Sequence, residues 1–111
     1  MKTDSSTAPI AELNDRFRQT GAGGQIFITP GIKAMAFADQ QAVLHKVRTF
    51  EAFTPDNDPY GEHDFGSFTH GAQKIFWKID YYDEALAYGS EDPADPAKTT
   101  RILTVMLAEE Y

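Results

Sequence analysis

The chain has 111 residues, of which 41% are hydrophobic and 24% are charged, a composition typical of one globular domain and unlike that of a disordered tail or a fibrous repeat. It contains no cysteine, which excludes disulfide frameworks, iron–sulfur clusters, thiolate zinc sites and cysteine nucleophiles. The net charge of −7 is concentrated in residues 51–95, which contain eleven acidic residues and only two basic ones, Lys74 and Lys78. Such an acidic surface repels phosphate and therefore disfavours direct nucleic-acid binding.

The N-terminal part of the chain predicts a short flexible segment followed by a helix. Residues 1–6 are polar, and we expect them to be flexible and residues 1–111 to form a single α+β domain. No apolar run approaches the roughly 20 residues that span a bilayer, and the N-terminus lacks the apolar segment of a signal peptide. We therefore expect a cytoplasmic protein with no membrane partner. The helix is predicted over Thr7–Thr20, ends at Gly21, and places Ile10, Leu13 and Phe17 on one face.

A short strand and a second helix follow. Residues Gln25–Thr29 are rich in β-formers and precede Pro30, which is disfavoured in a central strand, so this strand is expected at a sheet edge. Asp39 is a candidate cap for a helix that runs to about Phe53. Its predicted apolar stripe consists of Val43, Leu44, Val47 and Phe50.

The C-terminal half predicts β-structure. Residues Ala72–Asp83 alternate, with Ile75, Trp77 and Ile79 on one face, and Thr100–Glu109 repeats the alternation. Phe65–Thr69 is predicted as a further strand, joined to the next by a tight turn at His70 and Gly71. The fold class expected is α+β, an antiparallel meander of three to four strands with two helices packed on one face.

The loop Thr54–Gly66 concentrates acidic residues around a histidine. Asp56, Asp58 and Asp64 are candidates for a divalent-cation site, but the spacing fails the EF-hand pattern at its twelfth position, where Ser67 replaces the bidentate glutamate. The alternative is that these carboxylates accept hydrogen bonds from the backbone N–H groups of turns. We expect no cofactor.

An enzymatic hypothesis uses the same loop. Glu62, His63, Asp64 and His70 supply the residue types of a metal-dependent or acid–base hydrolase, such as a small ribonuclease with a carboxylate base and a histidine acid. The surrounding negative charge opposes this hypothesis, because a ribonuclease must gather phosphates around cations. Catalysis is therefore the alternative to an interaction function, and the favoured hypothesis has no catalytic residue.

The second long loop, Asp83–Thr99, is longer than a hairpin requires, and loops of this length are commonly functional. If it lies beside the first loop, the two form one acidic face. The tyrosines expected to be exposed there are Tyr60, Tyr82 and Tyr88, and they would add contact area of the kind enriched at protein interfaces. The candidate interaction residues are Asp56, Asp58, Tyr60, Glu62, Asp64, Asp83, Glu84, Tyr88, Glu91, Asp92 and Asp95.

Four ordered segments carry a family resemblance. DNDPYGEHDFG (residues 56–66), FWKIDYYD (76–83), GSEDPADP (89–96) and LTVMLAEEY (103–111) resemble a bacterial family of short single-domain proteins of unknown function. The resemblance implies a bacterial cytoplasmic setting and, for some members, plasmid or prophage-like regions. It brings no activity and no catalytic residues.

The favoured function is therefore that of a small acidic, non-enzymatic interaction protein. We expect it to dock on a basic surface of a protein partner, including a nucleic-acid-binding protein, and to mimic nucleic acid as an anti-restriction or anti-CRISPR protein would. Homo-oligomers are compatible with the sequence, which does not identify the partner.

Overall fold

The computed structural model of the protein describes residues 7–111, and the flexibility predicted for residues 1–6 lies outside them. The longest helix has 14 residues, and in this described part of the chain no helix is long and apolar enough to cross a membrane. The elements are α1 (Thr7–Thr20), β1 (Gly24–Ile28), α2 (Pro30–Lys33), α3 (Phe37–Arg48), β2 (Phe65–His70), β3 (Gln73–Tyr82), β4 (Thr100–Leu107) and a 3₁₀ helix (Ala108–Glu110).

The four strands form one sheet in the order β1-β4-β3-β2. β2, β3 and β4 make the predicted antiparallel meander, so the predicted α+β class is confirmed. β1 lies at the edge, as expected, but it pairs parallel to β4, with Gly24 opposite Arg101 and Ile28 opposite Val105. The sheet is therefore mixed, because α2 and α3 carry the chain across its face between β1 and β2.

The helices cover one face of the sheet, the inner face, and bury the predicted central row. Ile75 and Trp77 are fully buried and Ile79 nearly so. Helix α1 contributes Phe17 and α3 contributes Val43 to the same core. The expected side-chain alternation of β3 is thereby confirmed, with each large side chain removed from water contributing about 1.5–3 kcal/mol.

Helix α3 begins two residues before the predicted Asp39 and ends at Arg48, five residues short of the predicted Phe53. Its end is fixed by the buried side chain of Arg18 from α1. The guanidinium donates to the carbonyl oxygens of Val47, Arg48 and Phe50 at 2.9, 3.2 and 3.0 Å. These carbonyls belong to the last turn and the residues after it, where helical partners are lacking, so the cation both caps α3 and joins it to α1.

The side-chain carboxylate of Glu110, near the C-terminus, connects the other end of the sheet to α2. Glu110 accepts hydrogen bonds from the Thr29 hydroxyl and from the backbone N–H groups of Gly31 and Leu107. These bonds lower the pKa of Glu110 below its ordinary value. Helix α2, which sequence periodicity did not predict because it has only four residues, is thereby held against the end of β4.

The Arg18 contacts generate a stability prediction. Arg18→Lys should lower the free energy of unfolding by about 2–4 kcal/mol, because an ammonium group cannot reproduce the planar fork that serves three carbonyls and Asp15. Urea denaturation monitored through Trp77 fluorescence measures the change.

Arg16→Lys is the matched control, since Arg16 is exposed on the same helix. Its unfolding free energy should stay within about 0.5 kcal/mol of the parent. Equal losses in the two variants would contradict the assigned role of Arg18.

Candidate acidic interaction surface

The two acidic loops enter or leave the sheet at the same end. β1, β2 and β4 run in one direction and β3 in the other. The loop before β2 and the loop from β3 to β4 therefore meet the sheet where Phe65, Tyr82 and Thr100 lie. We call residues 54–64 and 83–99 together the acidic end. The common position expected for the two loops is thus present in the fold.

A buried asparagine connects these loops. Asn14 of α1 is fully buried, and its amide donates to the Glu62 carbonyl in the first loop at 2.9 Å and to the Tyr81 hydroxyl at 2.8 Å. Its side-chain oxygen accepts from Arg101 Nε at 2.6 Å. Arg101 in turn donates to the Pro93 carbonyl in the second loop at 2.6 Å. One chain of hydrogen bonds therefore spans both loops.

The acidic end carries nine carboxylates and one lysine, Lys98. Its charge of −8 exceeds that of the whole chain, so the remaining residues together carry +1. Lys98 lies 3.6 Å from Glu91 with both side chains more than half exposed, a geometry that contributes little energy. The exposed carboxylates are those of Asp56, Glu84, Glu91 and Asp92, whereas those of Asp58, Glu62, Asp64, Asp83 and Asp95 are partly buried.

Several of these carboxylates also shape the loops. Asp58 accepts from the backbone N–H groups of Glu62 and His63, and its side chain is only 7% exposed. Asp83, Asp92 and Asp95 each accept from a backbone N–H two to four residues later in their own loop. The turn-forming role considered for such residues is therefore observed. It leaves their negative charge in place.

Three carboxylates of the first loop lie close together. Burial, together with the neighbouring Asp64 and then Asp58, raises the pKa of Glu62 above its ordinary value. The Tyr81 hydroxyl donates to Asp64 at 3.2 Å, and burial raises the pKa of this phenol well above its usual range. The carboxylates of this loop thus repel one another. Hydrogen bonds from Asn14 and Tyr81 keep the loop in this conformation.

The ring of His63 contacts Asp15 and Phe53, which are not among the residues predicted for a hydrolase site. Its Nδ1 lies 3.0 Å from both carboxylate oxygens of Asp15. Its ring stacks on Phe53 with a centroid distance of 3.9 Å. Since an ionised carboxylate only accepts, Nδ1 carries the proton of this bond. His63 has a φ of 57°, in the left-handed region that non-glycine residues rarely adopt.

His70 does not join the other candidate catalytic residues. It ends β2, five residues beyond Phe65, and so lies roughly 17 Å along the strand from the acidic end. Its Nε2 contacts Asp39 at 3.0 Å and its Nδ1 contacts Lys46 at 3.2 Å. Glu62, His63 and Asp64 are consecutive, but with His70 at the opposite end of β2 the four-residue hydrolase site is not assembled.

The three predicted metal ligands, Asp56, Asp58 and Asp64, are not arranged as a cation site. Within residues 7–111, no group of three or more His, Asp and Glu side chains is arranged to hold a metal ion. Asp56 is exposed, and Asp58 is directed at backbone N–H groups. The described residues thus give Asp56, Asp58 and Asp64 no geometric support as ligands.

Two open clefts are lined partly by residues of the acidic end. One, of about 470 Å³, is lined by Asp83, Glu84, Glu91 and Lys98 and belongs to the second loop. The other, of about 370 Å³, includes Asp15, Phe53 and His63. Tyr60 and Tyr88 of the acidic end are 78% and 77% exposed, whereas Tyr82, the third tyrosine expected to be exposed, is partly buried.

Sequence reasoning missed the residues that organise the site, namely Asn14, Asp15 and Arg18. The available signal is their position on the helix. Asn14 lies four residues after Ile10, and Arg18 lies four after Asn14, so two polar residues continue the buried face of α1. Polar residues on such a face must find partners in the interior.

Comparison with known protein families gives a match over most of the chain. A family described as a protein of unknown function, DUF3768, matches residues 28–110, which include α2, α3, both acidic loops and β2 to β4. No curated protein and no solved structure gives a significant match.

The Asn14 network generates a prediction about the loops. Asn14→Ala should lower the free energy of unfolding by about 2–3 kcal/mol, because Arg101 Nε and the Glu62 carbonyl lose their partner. Hydrogen exchange at the amides of Glu62 and His63 should accelerate in the same variant. Gln19→Ala, at an exposed position of α1, is the control, and equal effects of both substitutions would contradict the network's role.

The raised pKa of Glu62 generates a pH prediction. A carboxyl group whose pKa is raised on folding stabilises the protein below its unfolded pKa, near 4.5, and that contribution is lost as the pH rises through the folded pKa. Glu62→Gln should therefore raise the melting temperature at pH 7, and the gain should shrink below pH 4.5. Glu84→Gln, on the exposed part of the other loop, should show a smaller gain. A lower melting temperature for Glu62→Gln at pH 7 would contradict the repulsion.

Proposed function

Because the chain belongs to the DUF3768 family, whose function is unknown, its role must be argued from its own residues, and we propose that it is a non-enzymatic interaction protein. In this proposal the acidic end docks on a basic surface of a partner protein. The supporting observation is that nine carboxylates lie on two loops at one end of the sheet, tied together through Asn14 and Arg101. A partner with clustered lysine and arginine side chains complements this charge.

The local chemistry favours a protein surface over a free cation. The carboxylates of Asp58, Asp83, Asp92 and Asp95 are oriented by backbone N–H groups of their own loops, so these four are not directed at one common point. Their positions are fixed before binding, which lowers the entropy cost of docking. Such a spread of negative charge suits several basic side chains at once.

Exposed aromatic side chains supply the apolar part of the interface. Tyr60 and Tyr88 extend from the first and second acidic loops, respectively, and each is more than three-quarters exposed. Tyrosine is enriched at binding hot spots because its ring adds contact area and its hydroxyl keeps a polar partner. The cleft lined by Asp83, Glu84 and Glu91 offers an adjacent pocket for a basic side chain.

The specific form of the proposal is a partner that handles nucleic acid. A phosphate-binding surface is basic by necessity, and an acidic protein that occupies it acts as an anti-restriction or anti-CRISPR protein would. This form assigns the chain to the bacterial cytoplasm and to mobile genetic elements, the setting that the sequence resemblance implies. The proposal includes no catalysis, since His70 stands apart from Glu62, His63 and Asp64.

The proposal predicts salt-dependent binding through one end of the molecule. The immobilised full chain should retain a partner from a lysate of its host at low salt and release it at high salt. Once the partner is identified and purified, calorimetry should give an affinity that falls steeply with ionic strength. An affinity indifferent to salt would rule the proposal out.

Two double variants with equal charge changes localise the surface. Glu84→Gln with Glu91→Gln should weaken binding about tenfold or more, whereas Glu12→Gln with Glu109→Gln should have little effect, because only the first pair lies in the acidic end. Equal weakening by both pairs would contradict docking through this end. Competition by duplex DNA for the partner then tests the nucleic-acid-handling form, which fails if DNA and the chain bind together.

A further inference from the structure

The edge strand β1 presents an uncharged, exposed surface outside the acidic end. None of the residues Gly24–Ile28 carries a charge, and Ile26 and Phe27 are 44% and 51% exposed. Natural edge strands are commonly protected from pairing by charges, bulges or covering loops. Within residues 7–111, no strand pairs with the side of β1 that faces away from β4.

The backbone of β1 has a fixed set of groups on its free side. Arg101 donates its N–H to the Gly23 carbonyl, and Thr29 donates its N–H to the Val105 carbonyl, so the odd-numbered residues point their backbone groups toward β4. In a parallel pair alternate residues point the opposite way. The N–H and C=O groups of Gly24, Ile26 and Ile28 therefore point outward from the sheet edge.

We propose that this edge pairs with β1 of a second copy of the chain, antiparallel and centred on Ile26. In that register Ile26 faces Ile26 of the second copy, and Gly24 faces Ile28 of the second copy on either side of the two-fold axis. Each of these pairs exchanges two backbone hydrogen bonds, which satisfies every outward group of the strand. The two four-stranded sheets then become one continuous sheet.

The side chains fit the same register. On the inner face the two Ile26 side chains become direct cross-strand neighbours. On the outer face Phe27 lies opposite Gln25 of the second copy, and the two Phe27 rings are diagonal neighbours, at a spacing of roughly 7–8 Å that aromatic side chains can bridge. Ile26 and Phe27, the two most exposed apolar side chains of the strand, thus both gain contacts in this single register.

The charge distribution selects the antiparallel orientation. β1 starts at the acidic end, because Gly24 lies opposite Arg101 at the start of β4. Antiparallel pairing places the two acidic ends, each of charge −8, at opposite ends of the dimer. Parallel pairing would bring them side by side, where like charges repel. The interface also leaves both acidic ends free, so it is independent of the proposed docking function.

The oligomeric state of the full chain tests the proposal. Analytical ultracentrifugation from micromolar to millimolar concentrations should show a monomer–dimer equilibrium that strengthens with added salt, because salt screens the repulsion between two acidic copies. This salt dependence is opposite to that of docking on a basic partner. Ile26→Lys should weaken the dimer roughly tenfold or more, since it places two like charges opposite each other.

Phe37→Lys is the matched control, because it adds the same charge at an apolar side chain that is 75% exposed and belongs to α3. It should leave the dimer constant within about twofold of the parent. Circular dichroism confirms that both variants are folded. A chain that stays monomeric at millimolar concentration, or equal effects of the two lysines, would overturn the proposal.

A single introduced cysteine tests the register. The chain has no cysteine of its own, and the Cα separation of a hydrogen-bonded antiparallel pair, about 5.5 Å, suits a disulfide. Under mild oxidation Ile26→Cys should form covalent dimers at least about tenfold faster than Phe37→Cys, because it meets its own copy across the axis. Equal rates for the two variants would show that β1 does not pair through Ile26.

Discussion

The buried hydrogen bond between Asn14 and Arg101 is the contact on which the organisation of the acidic end depends. One side chain comes from the first helix and the other from the last strand, 87 residues apart. The Asn14 amide also donates to the Glu62 carbonyl, and the Arg101 guanidinium also donates to the Pro93 carbonyl, so that one bond goes to each acidic loop. Since a buried polar group without a partner destabilises the fold, the two loops are held through each other.

Helix α1 therefore acts mainly through polar side chains on its buried face. Arg18 caps α3, Asn14 anchors the loops, and Asp15 contacts both Arg18 and His63. The same helix supplies the apolar Phe17 to the core. Fold and candidate site thus share one scaffold, so the geometry of the acidic loops follows from the packing of the helices on the sheet.

Much of the fold was accessible from periodicity, whereas the polar network was not. The alternation around Trp77 predicted β3 and its buried face, and Pro30 correctly placed β1 at an edge. Periodicity does not report strand direction, and so the parallel pairing of β1 was missed. Proximity along the sequence suggested one site for His63 and His70, yet an extended strand separates its two ends widely. Asn14 belongs to no recognisable sequence motif, because the residues that it contacts are 48 to 87 positions away along the chain.

The uneven distribution of charge makes the molecule electrically polar as well as acidic. With −8 at one end and +1 over the remaining residues, it has a large dipole along the direction of the strands. A positively charged body at a distance exerts a torque on such a dipole and turns the acidic end toward itself before contact. Encounters with a positively charged body are thereby oriented, since the direction of approach is selected during diffusion.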